Sequence, residues 1–145
     1  MNIPWYVTAL GAALIWGVHY PLVDFALKRI SVFSVLMLTV LPIVLLMPVF
    51  MRDIARDLDT VRTLPGTDQV MIAAIGLTSL LGAVLLYLSI AGKNATLASL
   101  IEITYPVFVA FFAYAIFRHV HINTSVSVGG LLVMAGAGLI IYNNQ

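Results

Sequence analysis

The chain has 145 residues, of which 62% are hydrophobic and 9% charged, and its mean hydropathy is +1.08. The few charged side chains cannot supply the polar surface that a soluble domain of this length needs. The composition therefore excludes an ordinary soluble globule and indicates an integral membrane protein. A formal net charge of +1 without a basic tract argues against a nucleic-acid partner, and the absence of cysteine excludes disulfides and thiolate metal sites.

Four uncharged runs predict spanning helices, because about 20 apolar residues cross the ~30 Å of hydrocarbon in a bilayer. A fifth helix, the fourth in chain order, is predicted by extending the shorter uncharged run 103–117 back past Glu102. The predicted spans cover residues 4–25, 31–51, 69–91, 95–117 and 124–142. The first charged side chain is Asp24, so the first span lacks the basic start of a cleavable signal peptide and we expect it to be retained. The fourth span includes Glu102, whose backbone would lie about 9 Å inside the first helical residue. The sequence therefore predicts an all-α integral membrane protein with an intramembrane acid in its fourth span.

Charged residues between the spans predict the connections. Tight hairpins are expected after the first span and around Lys93, and the i, i+4 spacing of Asp24 and Lys28 predicts an interfacial ion pair. Residues 52–68 form the long connection, either a short interfacial helix or solvated coil. Its alternating Arg and Asp residues are typical of a solvated surface rather than of a binding site.

Prolines within the spans predict kinks at Pro21, Pro42, Pro48 and Pro106. Each proline lacks an amide donor and disrupts the bond to the carbonyl four residues earlier. Pro106 does this to the carbonyl of Glu102. A freed carbonyl beside an ionisable side chain is typical of a midplane site in transporters, and a purely structural kink is the alternative.

The balance of basic residues across the membrane bears on orientation. With five spans, four basic residues share the amino-terminal side and three lie on the other: Arg52, Arg56, Arg62 and Arg118 against Lys28, Arg29 and Lys93. Orientation follows the excess of Lys and Arg in short loops, and this excess is one residue. Two interpretations stay open: insertion in both orientations, and a single orientation with the amino terminus in the cytoplasm.

Polar and aromatic side chains within the spans are the candidate functional residues. His19 and Glu102 fall at a similar depth, because both lie in the membrane half that contains the first and third connections. Tyr87 and Tyr105 fall in the same half, and Trp16 shares a helix face with His19 at i, i+3. Buried ionisable groups are costly, so those that persist face a partner or a wet cavity. We predict that these five residues bind substrate or protons. The alternative for His19 is a satisfied interhelical hydrogen bond, and the alternative for Trp16 is a lipid-facing or packed position.

Small residues in the fifth span predict close helix packing. Gly129 and Gly136 lie seven apart on one face, where small side chains let another helix approach. The spacing leaves open whether that helix belongs to the same chain or to a second one.

Catalytic motifs are missing from the sequence. It contains no HExxH motif, no nucleophile elbow and no P-loop, so we predict neither an enzyme nor a cofactor. His119 and His121 stand two apart without further ligands, so no metal site is predicted there.

Three stretches carry a family resemblance: WGVHYPLV in the first span, ATLASLIEITYPVFVAFFAYAIF at 95–117, and VGGLLVMAGAGLIIY in the fifth span. The first resembles the Trp-Gly opening of the EamA domain of the drug/metabolite transporter superfamily, and the other two resemble that domain's last two helices. The resemblance covers nearly the whole chain in five-helix order. Family members often have Glu before the Pro-Val-Phe and Gly-Glu after the helix, where this chain has Tyr105 and then Arg118-His119. No family role therefore transfers to Glu102 by position.

The resemblance implies a secondary transporter that exports or exchanges small metabolites or drugs across the cell membrane, a prokaryotic inner or plasma membrane. Full-length relatives carry two such domains as inverted halves of a ten-helix transporter, so this chain corresponds to one half. It would work as an antiparallel homodimer or with a homologous partner, in contact with membrane lipid and a small-molecule substrate. We expect proton coupling at Glu102, because a carboxyl group below the headgroups is harder to ionise than in water. The alternatives are a non-transporting membrane assembly subunit and a flippase-like carrier of lipid-linked substrates.

Overall fold

The computed structural model describes residues 3–118 and 123–144, and these residues form six α-helices. The helices are α1 (Trp5–Leu27), α2 (Val32–Thr63), α3 (Gly66–Gly92), α4 (Ala95–Glu102), α5 (Tyr105–Phe117) and α6 (Thr124–Asn143). The described residues contain no strand, and the predicted all-α class is confirmed.

Five segments are long and apolar enough to cross a membrane. They are α1, α2, α3, the segment Ala95–Phe117 that contains α4 and α5, and α6. The prediction of five helices that can span a membrane is therefore confirmed, and the fourth of these segments consists of two helices.

Short polar side chains fix the start of three helices. The Ser31 hydroxyl accepts from the Ser34 amide (3.3 Å) at the start of α2. The Asn94 side chain accepts from the Leu97 amide at 2.8 Å ahead of α4. Asn123 caps α6 in the same way. Because such caps satisfy amide donors that the first helical turn leaves unpaired, each new helix begins directly after its connection.

Helix α2 is longer than predicted. It continues through residues 52–63, so only Leu64 and Pro65 separate α2 from α3. The coil alternative for this connection is therefore wrong, and its helical alternative is present as a continuation of α2 rather than as a separate short helix. The 32 residues of α2 extend about 48 Å at 1.5 Å per residue. This exceeds the ~30 Å hydrocarbon layer, so the charged end of α2 extends into water.

Exposed ion pairs run along that charged end of α2. Arg56 contacts Asp53 at 3.2 Å and Arg62 contacts Asp59 at 3.1 Å, both at i, i+3 spacing. Such pairs stabilise a helix by a few tenths of a kcal/mol each and leave the side chains hydrated. The exposed pairs fit the predicted solvated surface, which remains a prediction, and the segment that carries them is helical.

The chain divides into two compact units. The first comprises the described residues within Met1–Leu22 and Gly92–Gln145, and the second comprises Val23–Ala91. In the first unit α4 packs against α6, and the buried hydrophobic residues described there are alanines: Ala95, Ala98 and Ala137. Small side chains let helix backbones approach closely. The second unit buries larger residues: Val23, Val35, Leu36, Tyr87 and Ile90.

Large apolar side chains cover the exposed helix surfaces. Leu10 of α1, Leu45 of α2 and Leu131 of α6 are each about 70% exposed in the isolated chain. Water would make such surfaces associate, whereas lipid tails solvate them. The aromatic residues Trp5 and Tyr142 lie at helix ends, where interfacial anchors are common.

Candidate functional site

The fourth span is broken at Glu102. Helix α4 ends at this residue, and α5 begins at Tyr105 with Pro106 in its first turn. Proline is tolerated at this position, because the amide it lacks would have no partner within the helix. Helices α1 and α2 continue through the other prolines, Pro21, Pro42 and Pro48. The kink predicted at Pro106 is therefore a break between two helices, and the break lies next to the intramembrane acid.

The turn between α4 and α5 is tight and hydrogen-bonded. The Ile103 amide donates to the Ser99 carbonyl (3.0 Å), and the Thr104 amide donates to the Ile101 carbonyl (3.1 Å). The Thr104 hydroxyl also donates to the Ile101 carbonyl, at 2.9 Å. Both turn residues keep right-handed backbone angles. The last carbonyls of α4 are thus partly satisfied within the turn, and the chain passes into α5 without an open loop.

Glu102 is hydrogen-bonded to α1. The Tyr20 hydroxyl donates to the Glu102 carboxylate, with 2.7 Å between Oη and Oε2, and the pair is partly buried. Both residues belong to the first unit. The sequence placed His19 at the depth of Glu102, and the hydrogen bond is made by the next residue along α1. Tyr20 is absent from the predicted site residues, although it occupies the i+4 position from Trp16 and lies at nearly the same depth as His19.

Three aromatic rings, one of them that of Tyr20, lie close together on α1. The ring centroids of Trp16 and His19 are 5.0 Å apart, those of Trp16 and Tyr20 are 5.5 Å apart, and those of His19 and Tyr20 are 6.2 Å apart. The helix face predicted for Trp16 and His19 is therefore present and includes Tyr20. We call Trp16, His19 and Tyr20 the aromatic cluster. Trp16 is 49% exposed, so one side of the cluster is open in the isolated chain.

Tyr105 and Tyr87 have different surroundings. Tyr105 is the first residue of α5, three residues after Glu102, and it is exposed. Tyr87 is buried in the second unit, where its hydroxyl lies 2.9 Å from the Thr39 hydroxyl. Since Thr39 donates its single proton to the Val35 carbonyl, it accepts from Tyr87. The binding roles of Tyr87 and Tyr105 remain predictions.

Lysine and arginine are absent from the spans of the first unit. Residues 5–22, 95–117 and 124–143 contain Glu102 as their one acid and neither Lys nor Arg. Two basic residues described in this unit lie at helix ends. Lys93 donates to the Asn144 carbonyl at 3.0 Å, and the Arg118 guanidinium lies 5.5 Å from the Tyr114 ring centroid. Within the described part of this unit, neither forms an ion pair with Glu102.

The predicted ion pair at the end of α1 is confirmed. Lys28 Nζ lies 3.1 Å from Asp24 Oδ2 at i, i+4 spacing. The Lys28 side chain is 67% exposed and the Asp24 side chain 20%. Exposed pairs of this kind are worth about 0–1 kcal/mol, so its role is local.

Close packing on α6 lies one residue after the predicted position. A Cβ added at Gly130 would lie 3.3 Å from Val107 Cγ2, whereas a Cβ at Gly129 or Gly136 would meet no described atom within 4 Å. Ala137, seven residues after Gly130, is buried. Within the described chain the contact face therefore runs through Gly130 and Ala137, and a contact of Gly129 and Gly136 with a second chain remains a prediction.

Comparison with known proteins gives one family. The model of the EamA-like transporter family matches residues 3–142. This range includes nearly all of the five candidate spans. Neither the curated proteins nor the solved structures give a significant match.

His119 and His121, where no metal site was predicted, lie outside the described residues.

Proposed function

Because the chain belongs to the EamA-like transporter family of the drug/metabolite transporter superfamily, we propose that it exchanges protons for a small metabolite or drug at Glu102, as an exporter or exchanger in the cell membrane. The family and the five spans make the chain a multi-pass membrane transporter. The observation that carries the proposal is the Tyr20–Glu102 hydrogen bond at the break in the fourth span. A broken helix beside an ionisable side chain is how many secondary transporters form their substrate and ion sites.

The working unit in this proposal is an antiparallel homodimer. Five spans correspond to one half of a ten-helix transporter, and the near balance of basic residues lets one sequence supply both inverted halves. The exposed apolar side chains of α1, α2 and α6 provide surface for a second chain as well as for lipid. In such a pair the two Glu102 residues lie on opposite sides of the midplane, which suits a site that opens alternately to each side.

The chemistry assigned to Glu102 is proton exchange. Carboxyl groups within membrane spans are costly and usually mark ion or substrate pathways. The Tyr20 hydroxyl can serve both protonation states, since it donates to the carboxylate and accepts from the carboxylic acid. Two other titratable side chains are nearby: His19 belongs to the aromatic cluster, and Tyr105 lies three residues after Glu102 in the sequence. Loss of the proton leaves an anion for which substrate and proton can compete.

The test uses proteoliposomes that contain this chain and a pH-sensitive dye. Addition of a transported compound from a metabolite and drug panel should dissipate an imposed pH gradient in the wild type. Glu102→Gln keeps the side-chain size and removes the charge, so it should abolish this response while size-exclusion profiles stay unchanged. Asp24→Asn is the matched control, because Asp24 is a carboxylate at the end of α1 that is paired with Lys28.

Each other outcome would overturn part of the proposal. A normal response of Glu102→Gln would make Glu102 a structural hydrogen-bonding residue and move the proton site to His19. A wild type that transports nothing would favour the non-transporting assembly subunit. A wild type that translocates only lipid-linked compounds would favour the flippase-like carrier.

A further inference from the structure

The backbone of Arg118 lies in the left-handed region. Its φ and ψ angles are 58° and 19°, and no other non-glycine residue in the described part of the chain has a positive φ. In this conformation the Arg118 amide ends α5 by donating to the Tyr114 carbonyl at 3.0 Å. Glycine is the usual residue at such a helix end, since a Cβ atom is strained there. The chain therefore has an arginine where its backbone favours glycine.

The charge of Arg118 has no partner among the acidic side chains. All six Asp and Glu residues lie in the described part of the chain, and their ion pairs are formed by other basic residues: Lys28, Arg56 and Arg62. Residues 103–145 contain no acid, and Arg118 is their one Lys or Arg. No side-chain carboxylate of the chain therefore neutralises the Arg118 guanidinium.

Arg118 lies at the membrane surface. It directly follows Phe117, the last residue of the fourth span, so its long side chain reaches the layer of lipid headgroups. The guanidinium is planar, and its fork of N–H donors matches a phosphate group with two parallel hydrogen bonds. An unneutralised phosphate-binding side chain therefore lies in the layer where lipid phosphates are concentrated.

Exposed aromatic rings lie below the guanidinium. Its centre is 5.5 Å from the Tyr114 ring centroid, within the ~6 Å range of a cation–π contact. Phe111 lies one turn before Tyr114 on the same face of α5, and both rings are exposed in the isolated chain. A lipid whose phosphate binds Arg118 can place an acyl chain on these rings. A phosphate ion from water gains no such contact.

We infer that Arg118 binds the phosphate of an anionic phospholipid, whose acyl chain lies against Tyr114 and Phe111. The site lies at the other end of α5 from Glu102, so it is separate from the proposed proton site. Anionic lipids are favoured because a zwitterionic headgroup carries an ammonium group that competes with the guanidinium for the phosphate. Stabilisation by the bound lipid offsets the strain of the left-handed backbone.

Opposite effects of one substitution in two media provide the test. In detergent without phospholipid, Arg118→Gly should raise the unfolding temperature by a few degrees, because glycine relieves the backbone strain. Added phosphatidylglycerol should raise the unfolding temperature of the wild type more than phosphatidylcholine does, whereas Arg118→Gly should respond equally to both lipids. Arg118→Lys keeps the charge without the planar fork, so it should lose at least half of the wild-type response to phosphatidylglycerol.

The matched control is Arg62→Gln. It also removes a basic residue on the amino-terminal side, but Arg62 is paired with Asp59 at the exposed end of α2. This variant should keep the full response to phosphatidylglycerol. Native mass spectrometry gives a second measurement: the wild type and Arg62→Gln should retain at least fivefold more bound phosphatidylglycerol than Arg118→Gly.

Four outcomes would overturn the inference. They are equal responses of the wild type to the two lipids, a full response of Arg118→Gly to phosphatidylglycerol, equal stabilisation by water-soluble glycerol 3-phosphate, and the same destabilisation of Arg118→Gly in every medium. The third would make the site one for soluble phosphates, and the fourth would mean that the charge acts on the end of α5. If Arg118→Gly fails to fold, the responses of the wild type and Arg118→Lys to the three compounds still decide the question.

Discussion

Tyr20 and Glu102 lie at matched depths in two different spans. Tyr20 is seven residues before Leu27 at the end of α1, and Glu102 is seven residues after Ala95 at the start of α4. At 1.5 Å per residue, each lies about 10 Å from its helix end. The 2.7 Å hydrogen bond between them therefore joins the first and fourth spans at the level where the fourth span is broken.

The Tyr20–Glu102 bond should appear as an interaction energy in a double-mutant cycle. We expect the destabilisation by Tyr20→Phe and that by Glu102→Leu to be non-additive by about 0.6 to 1.7 kcal/mol, which are the average and the largest values for hydrogen bonds between membrane helices. The measurement is the free energy of unfolding in bicelles for the wild type, both single variants and the double variant. Tyr6→Phe is the control, since Tyr6 lies near the exposed start of α1 and should be additive with Glu102→Leu. Additivity for Tyr20→Phe as well would mean that the bond is not formed.

The break at Pro106 should be maintained without proline. Pro106 occupies the first turn of α5, where its missing amide costs little, whereas Pro42 lies inside the continuous helix α2. Pro42→Ala should therefore raise the free energy of unfolding by up to about 3 kcal/mol, and Pro106→Ala should change it by less than about 1 kcal/mol. Thermal unfolding of both variants in the same detergent tests this difference. Similar stabilisation by the two changes would mean that Pro106 itself interrupts a helix that otherwise continues through Glu102.

A large side chain should have different effects on the two faces of α6. Gly130 is in contact with Val107, so Gly130→Leu should destabilise the chain by about 1 to 3 kcal/mol through overpacking. Gly129→Leu has open space around it in the isolated chain. We expect it to leave the stability of the monomer unchanged and to weaken the dimer, which analytical ultracentrifugation can measure. If Gly129→Leu leaves the dimer intact, that face contacts lipid.

The spans were predictable because bilayer thickness sets the length of the apolar runs. The depth of Glu102 was predictable from its residue number within the span, since each residue advances a helix by 1.5 Å along its axis. The partner of Glu102 did not follow, because His19 and Tyr20 differ by only 1.5 Å in depth but by about 100° around the helix axis. That rotation is set by packing, which the sequence of α1 alone does not encode.

The charged end of α2 was taken for a connection because hydropathy identifies the membrane layer and not the end of a helix. Arg56 and Asp53, like Arg62 and Asp59, are spaced to pair on a helix, and this i, i+3 pattern was the available signal. On α6 the sequence pointed to Gly129, whereas the contact within the described chain is made by Gly130, the next residue. Adjacent glycines make neighbouring faces nearly equivalent in sequence, so Val107 decides which one is in contact.

Dual insertion should be visible at the carboxyl-terminal end of α6. The sequence has no cysteine, so Asn143→Cys gives a single labelling site, and Asn143 is exposed and donates to the Leu139 carbonyl one turn earlier in α6. If the chain inserts in both orientations, an impermeant maleimide should label this cysteine from both sides of the membrane. Leu132→Cys near the middle of α6 should stay unlabelled and so controls for leakage of the reagent.

A change in the basic-residue balance should then remove one orientation. Thr60→Arg adds a fifth basic residue on the amino-terminal side, on the exposed end of α2. Since the side with more Lys and Arg stays in the cytoplasm, five against three should place the amino-terminal side there and leave Cys at position 143 accessible only from outside. Labelling of Asn143→Cys from one side only, before Thr60→Arg is introduced, would exclude the antiparallel homodimer. A parallel dimer or a homologous partner of opposite orientation would then have to supply the second half of the transporter.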